Sequence, residues 1–376
     1  MLKVLRDSLQ AGLNATNKVV STRSTLPSLA CVLLTANGEG DLILSATNLE
    51  TALQLKLGAK VDEPFGLCVP SKTFAQVVFS RTEDIFTLSH DKEHETLQIK
   101  SGRFKSSIAG LAAEEFPMLP DPVDFVEDSD LTFDISTKEL LSSLQKVLIS
   151  VATGGQRPTL ETVLFRFNNG LQLITTDGYT LSVQTLHADG TGSYMIPATG
   201  LQQIVQLLQQ FKPDYVKIVF KKLQVMFVAD DFSIMCQLQD GNYPDVSPFE
   251  RNAGKKPVSS VTLNTDVLKQ TLKTAMVYYN DTRTPLKIEA KNGRINVHIH
   301  SNELGLFEES LEVVQYDDTF KTSLNVGHLN NIIKVLEGEQ VVLATYENNM
   351  CPVYVYPNEL NSENYWISMP LFVKGE

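Results

Sequence analysis

The sequence predicts an α+β protein in which one domain is written three times, each copy two helices packed on antiparallel sheet. Three observations predict it. An Arg-x-x-Leu element recurs as Arg23-Ser24-Thr25-Leu26, Arg157-Pro158-Thr159-Leu160 and Arg283-Thr284-Pro285-Leu286, at steps roughly the size of one small domain. A strand-to-helix junction recurs at Val69-Pro70, Ile196-Pro197 and Leu324-Asn325, and an aromatic-or-Met-Pro step at Phe116-Pro117, Tyr243-Pro244 and Met369-Pro370. Between these landmarks the pattern runs helix, strands, helix, strands each time. The 376 residues therefore divide into domains at 1–122, 129–250 and 258–376, each long enough to bury its own core.

Each copy opens with an amphipathic helical pattern. Leu2, Leu5, Leu9 and Leu13 mark the stripe in the first. Leu140, Leu141, Leu144, Val147, Leu148 and Val151 mark it in the second, after Ser136-Thr137. Val267, Leu268, Leu272, Ala275 and Met276 mark it in the third, after Asn264-Thr265-Asp266. Hairpins follow. Val163–Phe167 turns at Asn168-Asn169-Gly170 into Leu171–Ile174, and Lys287–Ala290 turns at Lys291-Asn292-Gly293 into Ile295–Ile299. A second helix runs from Pro70 to Arg81, from Pro197 to Phe211 and from Asn325 to Gly338. Two more strands close each copy. Asp121 to Asp130 and Arg251 to Pro257 have the composition of exposed linkers.

The composition, 43% hydrophobic and 20% charged, is that of an ordinary globular protein. No apolar run is long enough to span a bilayer, and the N-terminus lacks the apolar stretch of a signal peptide, so a cytoplasmic location is expected. Cys31, Cys68, Cys236 and Cys351 show no zinc or redox spacing and are expected to be free, buried thiols of a reducing compartment.

The net charge of −12 argues against a nucleic-acid partner, but its distribution argues for one. The six helical windows hold eleven basic residues: Lys3, Arg6, Lys18, Lys72, Arg81, Lys138, Lys146, Lys212, Lys269, Lys273 and Lys334. They hold four acids: Asp7, Glu139, Asp266 and Glu337. The fourth helix has a glutamine face of Gln202, Gln203, Gln206, Gln209 and Gln210. A polyanion approached by these helices would meet cations or neutral donors while the rest of the surface repels it.

With these features, local motifs in all three copies resemble the bacterial sliding clamp family, the β subunits of the replicative DNA polymerase. Arg23-Ser24-Thr25-Leu26-Pro27-Ser28-Leu29 is similar to the family's Arg-Pro-x-Leu-Pro-Ile-Leu. Ser101-Gly102-Arg103-Phe104 with Phe116-Pro117 resembles its serine-glycine-arginine strand and following phenylalanine-proline. Thr175-Thr176-Asp177-Gly178-Tyr179-Thr180-Leu181 resembles Ala-Thr-Asp-Gly-His-Arg-Leu. Asp240-Gly241-Asn242-Tyr243-Pro244-Asp245 resembles Asp-Gly-Arg-Phe-Pro-Asp, and Met369-Pro370-Leu371 the family's ending. The resemblance covers essentially the whole chain.

It implies a head-to-tail dimer closing a six-domain ring, with helices lining the hole and double-stranded DNA threading it. The polymerase, the clamp loader and repair proteins attach through linear peptides. By motif match the peptide cleft would be formed by Arg157, Leu160, Thr176, Gly178, Tyr179, Thr180, Leu181, Pro244, Phe249, Met350, Pro352, Ile367, Met369, Pro370 and Leu371. DNA contact would fall to Arg23, Lys72, Arg81, Lys138, Lys146, Gln202, Lys269, Lys273 and Lys334. The ring interface would place Val77, Val78, Phe79 and Phe104 opposite Val277 and Tyr278. The chain departs from the family at Tyr179-Thr180, where His-Arg is common, at Pro248-Phe249, where Arg-Val is common, at Phe372, where arginine is common, and at Ala198-Thr199, where a basic pair is common. The cleft is therefore expected to be less basic and more aromatic than usual.

No catalytic constellation emerges, and no cofactor or metal is expected. His298 and His300 alternate on one strand face without further ligands in sequence. Asp177-Gly178 and Asp240-Gly241 read as turns, Gly154-Gly155 is too short for a phosphate loop, and no serine sits in a nucleophile elbow. A non-catalytic accessory subunit of DNA polymerase is the expectation. The alternatives are a ring-shaped interaction scaffold of the same fold without DNA tethering, and a hydrolase with an unrecognised site.

Overall fold

The computed structural model describes residues 1–376 except 22–23, 39, 156, 251–254, 280–283, 302, 318, 348–350, 361 and 372–376. Helices α1 (Arg6–Thr16), α2 (Ser71–Phe79), α3 (Pro122–Glu127), α4 (Thr137–Val147), α5 (Ala198–Phe211), α6 (Ser247–Glu250), α7 (Thr265–Ala275) and α8 (Val326–Val335) alternate with antiparallel strands. No helix among the described residues is long and apolar enough to cross a membrane.

The chain forms two compact units. One comprises Met1–Leu141 with Thr199–Leu238, the other Ser142–Ala198 with Gln239–Glu376. The second sequence copy is thus shared between them, because sheets run on from copy to copy. In the first unit nine strands of a twelve-stranded sheet follow the path Phe104–Ala109, Thr96–Ser101, Ile85–Asp91, Leu2–Leu5, Thr51–Val61, Phe232–Gln237, Gln224–Val228, Tyr215–Lys221, Leu131–Ser136, and Asp41–Thr47, Cys31–Ala36 and Phe65–Pro70 branch in turn from Thr51–Val61. The step between copies is the pairing of Phe232 with Leu55. In the second unit a nine-stranded sheet crosses between copies where Leu181 pairs with Ile367. A four-stranded sheet, ordered Gly305–Glu312, Arg294–Ser301, Pro285–Lys291, Lys321–Asn325, completes that unit.

Local chemistry explains the elements. Both expected Asn-Gly hairpins form, with Asn169 and Gly170 at φ 52° and 118°, and Asn292 and Gly293 at 54° and 76°. Such turns require left-handed backbone, which asparagine and glycine tolerate. The Asn264 side chain accepts from the Asp266 and Val267 amides at 3.0 and 3.1 Å and starts α7; Asn325 accepts from His328 N–H at 3.0 Å and starts α8. Leu268, Leu272 and Ala275 of α7 pack with Leu329 and Ile333 of α8 over Trp366. The Trp366 indole donates to Lys146 O at 3.0 Å.

Three expectations change. Leu2–Leu5 is a strand, not the start of a helix: Leu2 and Val4 are buried while Leu5 is exposed, a period of two. Strands on both sides pair with it, which overrides a four-residue pattern that fits either structure. Val267 lies outside the buried stripe of α7 and is exposed. The segment read as a linker contains α3. Asp121 accepts from Val123 N–H at 2.8 Å, Pro122 opens the helix, and Phe125 is buried against Val219, Met226 and Met235. Arg251 to Pro257 falls largely outside the described residues.

Cys31, Cys68 and Cys236 are free and buried as expected, whereas Cys351 is half-buried. Burial pushes the Cys68 and Cys236 thiols up to about 12, so they are inert rather than nucleophilic.

Candidate functional site

A cleft of about 190 Å³ opens in the second unit where three strand ends and two short helical turns meet. Strands Leu171–Thr176 and Thr180–Leu186 form its central hairpin. The turn is built by Asp177, whose carboxylate accepts from Tyr179 N–H at 2.8 Å, Thr180 N–H at 2.6 Å and Thr180 Oγ1 at 3.0 Å. Thr176 Oγ1 donates to Thr180 O at 2.6 Å and accepts from Gly178 N–H at 3.1 Å; Gly178 has φ +89°. Asp177 and Thr176 are thus occupied in shaping the turn, which expels the Tyr179 ring to 64% exposure.

The second wall is strand Tyr365–Ser368, and the ladder continues beyond it where Met369 N–H donates to Tyr179 O at 2.8 Å. The third wall is the segment from Tyr243 to Phe249. The Tyr243 hydroxyl accepts from Thr176 N–H at 2.9 Å, and Tyr354 Oη donates to Phe249 O at 2.8 Å. A 3-10 turn at Pro158–Glu161 brings in Leu160 and leaves Arg157 exposed at the mouth. The floor is apolar: Leu160, Leu181, Val246 and Ile367 are each at most 5% exposed. Beneath it lie Tyr346, Tyr354, Tyr356 and Tyr365, with Tyr346 Oη 2.8 Å from Tyr356 Oη. Burial pushes the phenols of Tyr243, Tyr346, Tyr356 and Tyr365 above their ordinary value, so they stay neutral and rigid. At the mouth, the Tyr179 ring lies 6.0 Å from that of His328, at the start of α8.

Most of the expected cleft is therefore brought together: Arg157, Leu160, Thr176, Gly178, Tyr179, Thr180, Leu181, Pro244, Phe249, Ile367 and Met369 all line it. Pro352, Pro370 and Leu371 do not. Pro370 bridges to Leu324, and Leu371 N–H donates to Ser323 O at 2.8 Å, so the chain leaves the cleft for the four-stranded sheet just after Met369. Pro352 is half-buried ahead of strand Val353–Pro357. Met350 lies outside the described residues. Two lining residues were missed, Asp245 and Val246. Their signal was present: Val246 sits three residues from both Tyr243 and Phe249, and Asp245 accepts from Ser247 N–H at 2.9 Å to start α6.

The expected DNA-facing residues divide. Lys72, Lys138, Gln202, Lys273 and Lys334 are exposed. Three others are occupied within the chain. Arg81 lies beyond the end of α2, pairs with Glu83 at 2.6 Å and stacks 4.6 Å over the Phe104 ring. Lys146 pairs with Glu337 at 2.8 Å, and Lys269 donates to Leu336 O at 3.0 Å, just past the end of α8. Arg23 lies outside the described residues. Lys3 belongs to a strand, and Lys18 and Lys212 follow helix ends, so helices α1, α2, α4, α5, α7 and α8 carry seven bases, Arg6, Lys72, Lys138, Lys146, Lys269, Lys273 and Lys334, against three acids, Asp7, Glu139 and Asp266.

Of the expected interface residues, Phe79 is 42% and Val277 70% exposed, while Val77, Phe104 and Tyr278 are half-buried. Val78 is fully buried in the core, because it faces inward on α2, and is no surface residue. His298 and His300 stand on strand Arg294–Ser301, and no group of three or more potential ligands among the described residues could hold a metal ion.

Three family models match the chain in succession: the N-terminal domain of the DNA polymerase III beta subunit over residues 1–120, its central domain over 134–245 and its C-terminal domain over 254–370. A beta sliding clamp from Proteus mirabilis is 25% identical over 90% of this chain and 91% of its own length, and one from Pseudomonas aeruginosa 24% identical over 98% of each. Among solved structures, the beta subunit of Streptococcus pyogenes DNA polymerase superposes with a TM-score of 0.88 at 19% identity, over 99% of this chain and 100% of that one. A Pseudomonas aeruginosa sliding clamp bound to griselimycin superposes with a TM-score of 0.87 at 23% identity, over the same shares. The chain, with its three clamp domains, belongs to the family of DNA polymerase III beta subunits.

Proposed function

We propose that this chain is a DNA sliding clamp, a non-catalytic subunit whose three domains, 1–122, 129–250 and 258–376, join those of a second copy head to tail in a six-domain ring around duplex DNA. Polymerase, clamp-loader and repair proteins then attach by linear peptides. The observation that carries this is the cleft between Tyr179, Val246 and Met369. It is a preformed apolar slot whose polar groups are spent on its own turn, so it suits side chains of an extended segment rather than a reacting substrate.

Two open sheet edges support closure of the ring. Strand Phe104–Ala109 ends the twelve-stranded sheet, and strand Gly305–Glu312 ends the four-stranded one. The first lies in a hairpin carrying exposed Lys100, Arg103 and Lys105; the second carries exposed Glu308, Glu309 and Glu312. Lys100 and Lys105 are direct cross-strand partners, a repulsive arrangement that an acidic edge from another copy relieves. DNA contact then rests on exposed Lys72, Lys138, Lys273 and Lys334 with Gln202, a modest positive lining that favours sliding over fixed binding. The absence of a spanning helix among the described residues agrees with a site of action in the cytoplasm.

The test is retention on circular against linear DNA after loading, with mass in solution measured alongside. A clamp stays on closed circles, runs off free ends and has about twice the 41.7 kDa chain mass. Equal loss from both DNA forms would favour the second reading, a protein scaffold of the same fold, to which the internal engagement of Lys146 and Lys269 lends some support.

A further inference from the structure

The first unit repeats the framework of the cleft. Thr47 Oγ1 donates to Thr51 O at 2.9 Å and accepts from Leu49 N–H at 3.0 Å, as Thr176 does with Thr180 and Gly178. Asn48 Oδ1 accepts from Glu50 N–H at 3.0 Å and Thr51 N–H at 2.7 Å, the role held by Asp177. Leu49 stands at φ +76° where Gly178 stands at +89°. Beside the turn, Gln237 N–H donates to Glu50 O at 2.8 Å, as Met369 N–H does to Tyr179 O. The pairing of Met235 with Ala52 repeats that of Ile367 with Leu181. Leu29, buried in the 3-10 turn Pro27–Ala30, repeats Leu160.

The two copies differ in what fills them. In the second unit the slot is open, with Phe249 half-buried at its wall. In the first, Phe125 of α3 is 3% exposed and packs on Ala52, Met235, Met226 and Val219. Ala52 and Met235 are the counterparts of Leu181 and Ile367, which line the cleft, so Phe125 lies where an apolar side chain of a guest would lie. Alanine in place of leucine makes the room. The helix is held on from outside. The Asp121 carboxylate accepts from Val123 N–H at 2.8 Å in its first turn, and Lys221 lies 5.4 Å over the Phe125 ring while pairing with Asp128 at 3.1 Å. The second unit keeps the same framework with its slot open, so Phe125 reads as an occupant and not as a requirement of the turn.

We propose that the first unit carries a latent second peptide slot, closed by the chain's own α3 with Phe125 as the anchor, so that docking is confined to one cleft per chain. This rests on the cleft being a peptide site. A tethered occupant competes at an effective concentration on the order of millimolar, which keeps out free peptides of ordinary affinity. Once α3 is disarmed, the slot takes a short apolar peptide of the kind the cleft takes, because the same backbone ladder and apolar floor are in place.

The test is calorimetric titration of the full chain with a capped Gly-Leu-Leu-Phe-Gly peptide, with peptide-induced slowing of amide exchange mapped alongside. Wild type is expected to bind one peptide per chain, with slowing at Thr176–Leu181 and none at Thr47–Ala52. Phe125→Ala should bind two, the added site marked by slowing at Thr47–Ala52. Phe125→Ala combined with Ala52→Leu refills part of the vacated space with the side chain the cleft has there, and should bind the added peptide about threefold tighter through the extra apolar contact. One peptide per chain in both variants overturns the latent slot. Failure of both variants to fold overturns it too, since Phe125 would then be core of the domain and not an occupant. No binding by wild type overturns the cleft reading, and the latent slot with it.

Discussion

Thr176 donates its backbone N–H to the Tyr243 hydroxyl at 2.9 Å, and this single bond ties the hairpin of the cleft to its opposite wall. Tyr243→Phe keeps the ring and deletes the acceptor, leaving a half-buried amide unpaired at a cost of about 1–3 kcal/mol. The variant should melt several degrees lower and bind a cleft peptide more weakly. Unchanged melting would show that water replaces the hydroxyl.

Tyr179 offers the opposite case. Its ring is 64% exposed and lies beside that of His328, so Tyr179→Ala should move folding stability by less than about 0.5 kcal/mol. As an aromatic at the mouth of an apolar slot it should carry binding energy, and peptide affinity should fall by roughly tenfold or more. Met369→Ala should behave likewise, since Met369 lines the cleft while its backbone alone extends the ladder. Calorimetric titration of each variant with one peptide decides the matter; wild-type affinity in both would remove the cleft as the docking site.

Residues whose role is written in local chemistry were legible in the sequence. The Asn-Gly turns, the Asn264 cap and the Asp177-Gly178 turn follow from backbone preferences acting within a few positions. What depended on distant partners was not. Leu2–Leu5 became a strand because two other strands hold it, and Phe125 is buried because distant strands, through Ala52, Val219, Met226 and Met235, supply its pocket. Lys146 and Lys269 read as surface charge until Glu337 and Leu336 were placed beside them. The cleft floor was found by motif, but its limit at Met369 was not, since Ser323 and Leu324 decide where the chain turns away.

Lys269 and Lys273 occupy one helix yet should respond differently to reversal. Lys273 is exposed, so Lys273→Glu should leave melting unchanged and lower the slope of DNA retention against salt by about one counterion, that of the phosphate it no longer neutralises. Lys269 donates to Leu336 O, so Lys269→Glu removes a partner of a helix-end carbonyl and should cost about 0.5–2 kcal/mol of stability as well. Equal melting temperatures for the two variants would contradict the capping role.

Lys100 and Lys105 face each other across one hairpin. Lys105→Glu relieves that repulsion within the chain, so the melting temperature of the isolated chain should hold or rise, while self-association weakens if the acidic edge of a second copy is the intended partner. Adding Glu308→Lys and Glu309→Lys to the same chain should restore the dimer. Sedimentation of the single and combined variants separates electrostatic pairing of these edges from a closure that uses only apolar contacts.

Alkaline titration should report on the buried core. The Cys68 and Cys236 thiols are raised to about 12 by burial, and Tyr243, Tyr346, Tyr356 and Tyr365 are raised above their ordinary value for the same reason. Each group is protonated in the folded chain at a pH where the unfolded chain has released the proton. Their contribution to stability is complete below the unfolded values, about 8.5 for thiols and about 10 for phenols, and is lost as pH rises towards the folded ones. Stability should therefore begin to fall near pH 8.5 and fall more steeply above pH 10, by about 1.4 kcal/mol per pH unit for each group still protonated. Tyr243, Tyr346, Tyr356 and Tyr365 should ionise only together with loss of the circular-dichroism signal. Their tyrosinate absorbance appearing in full while the chain remains folded would show that the tyrosines beneath the cleft floor are accessible to water.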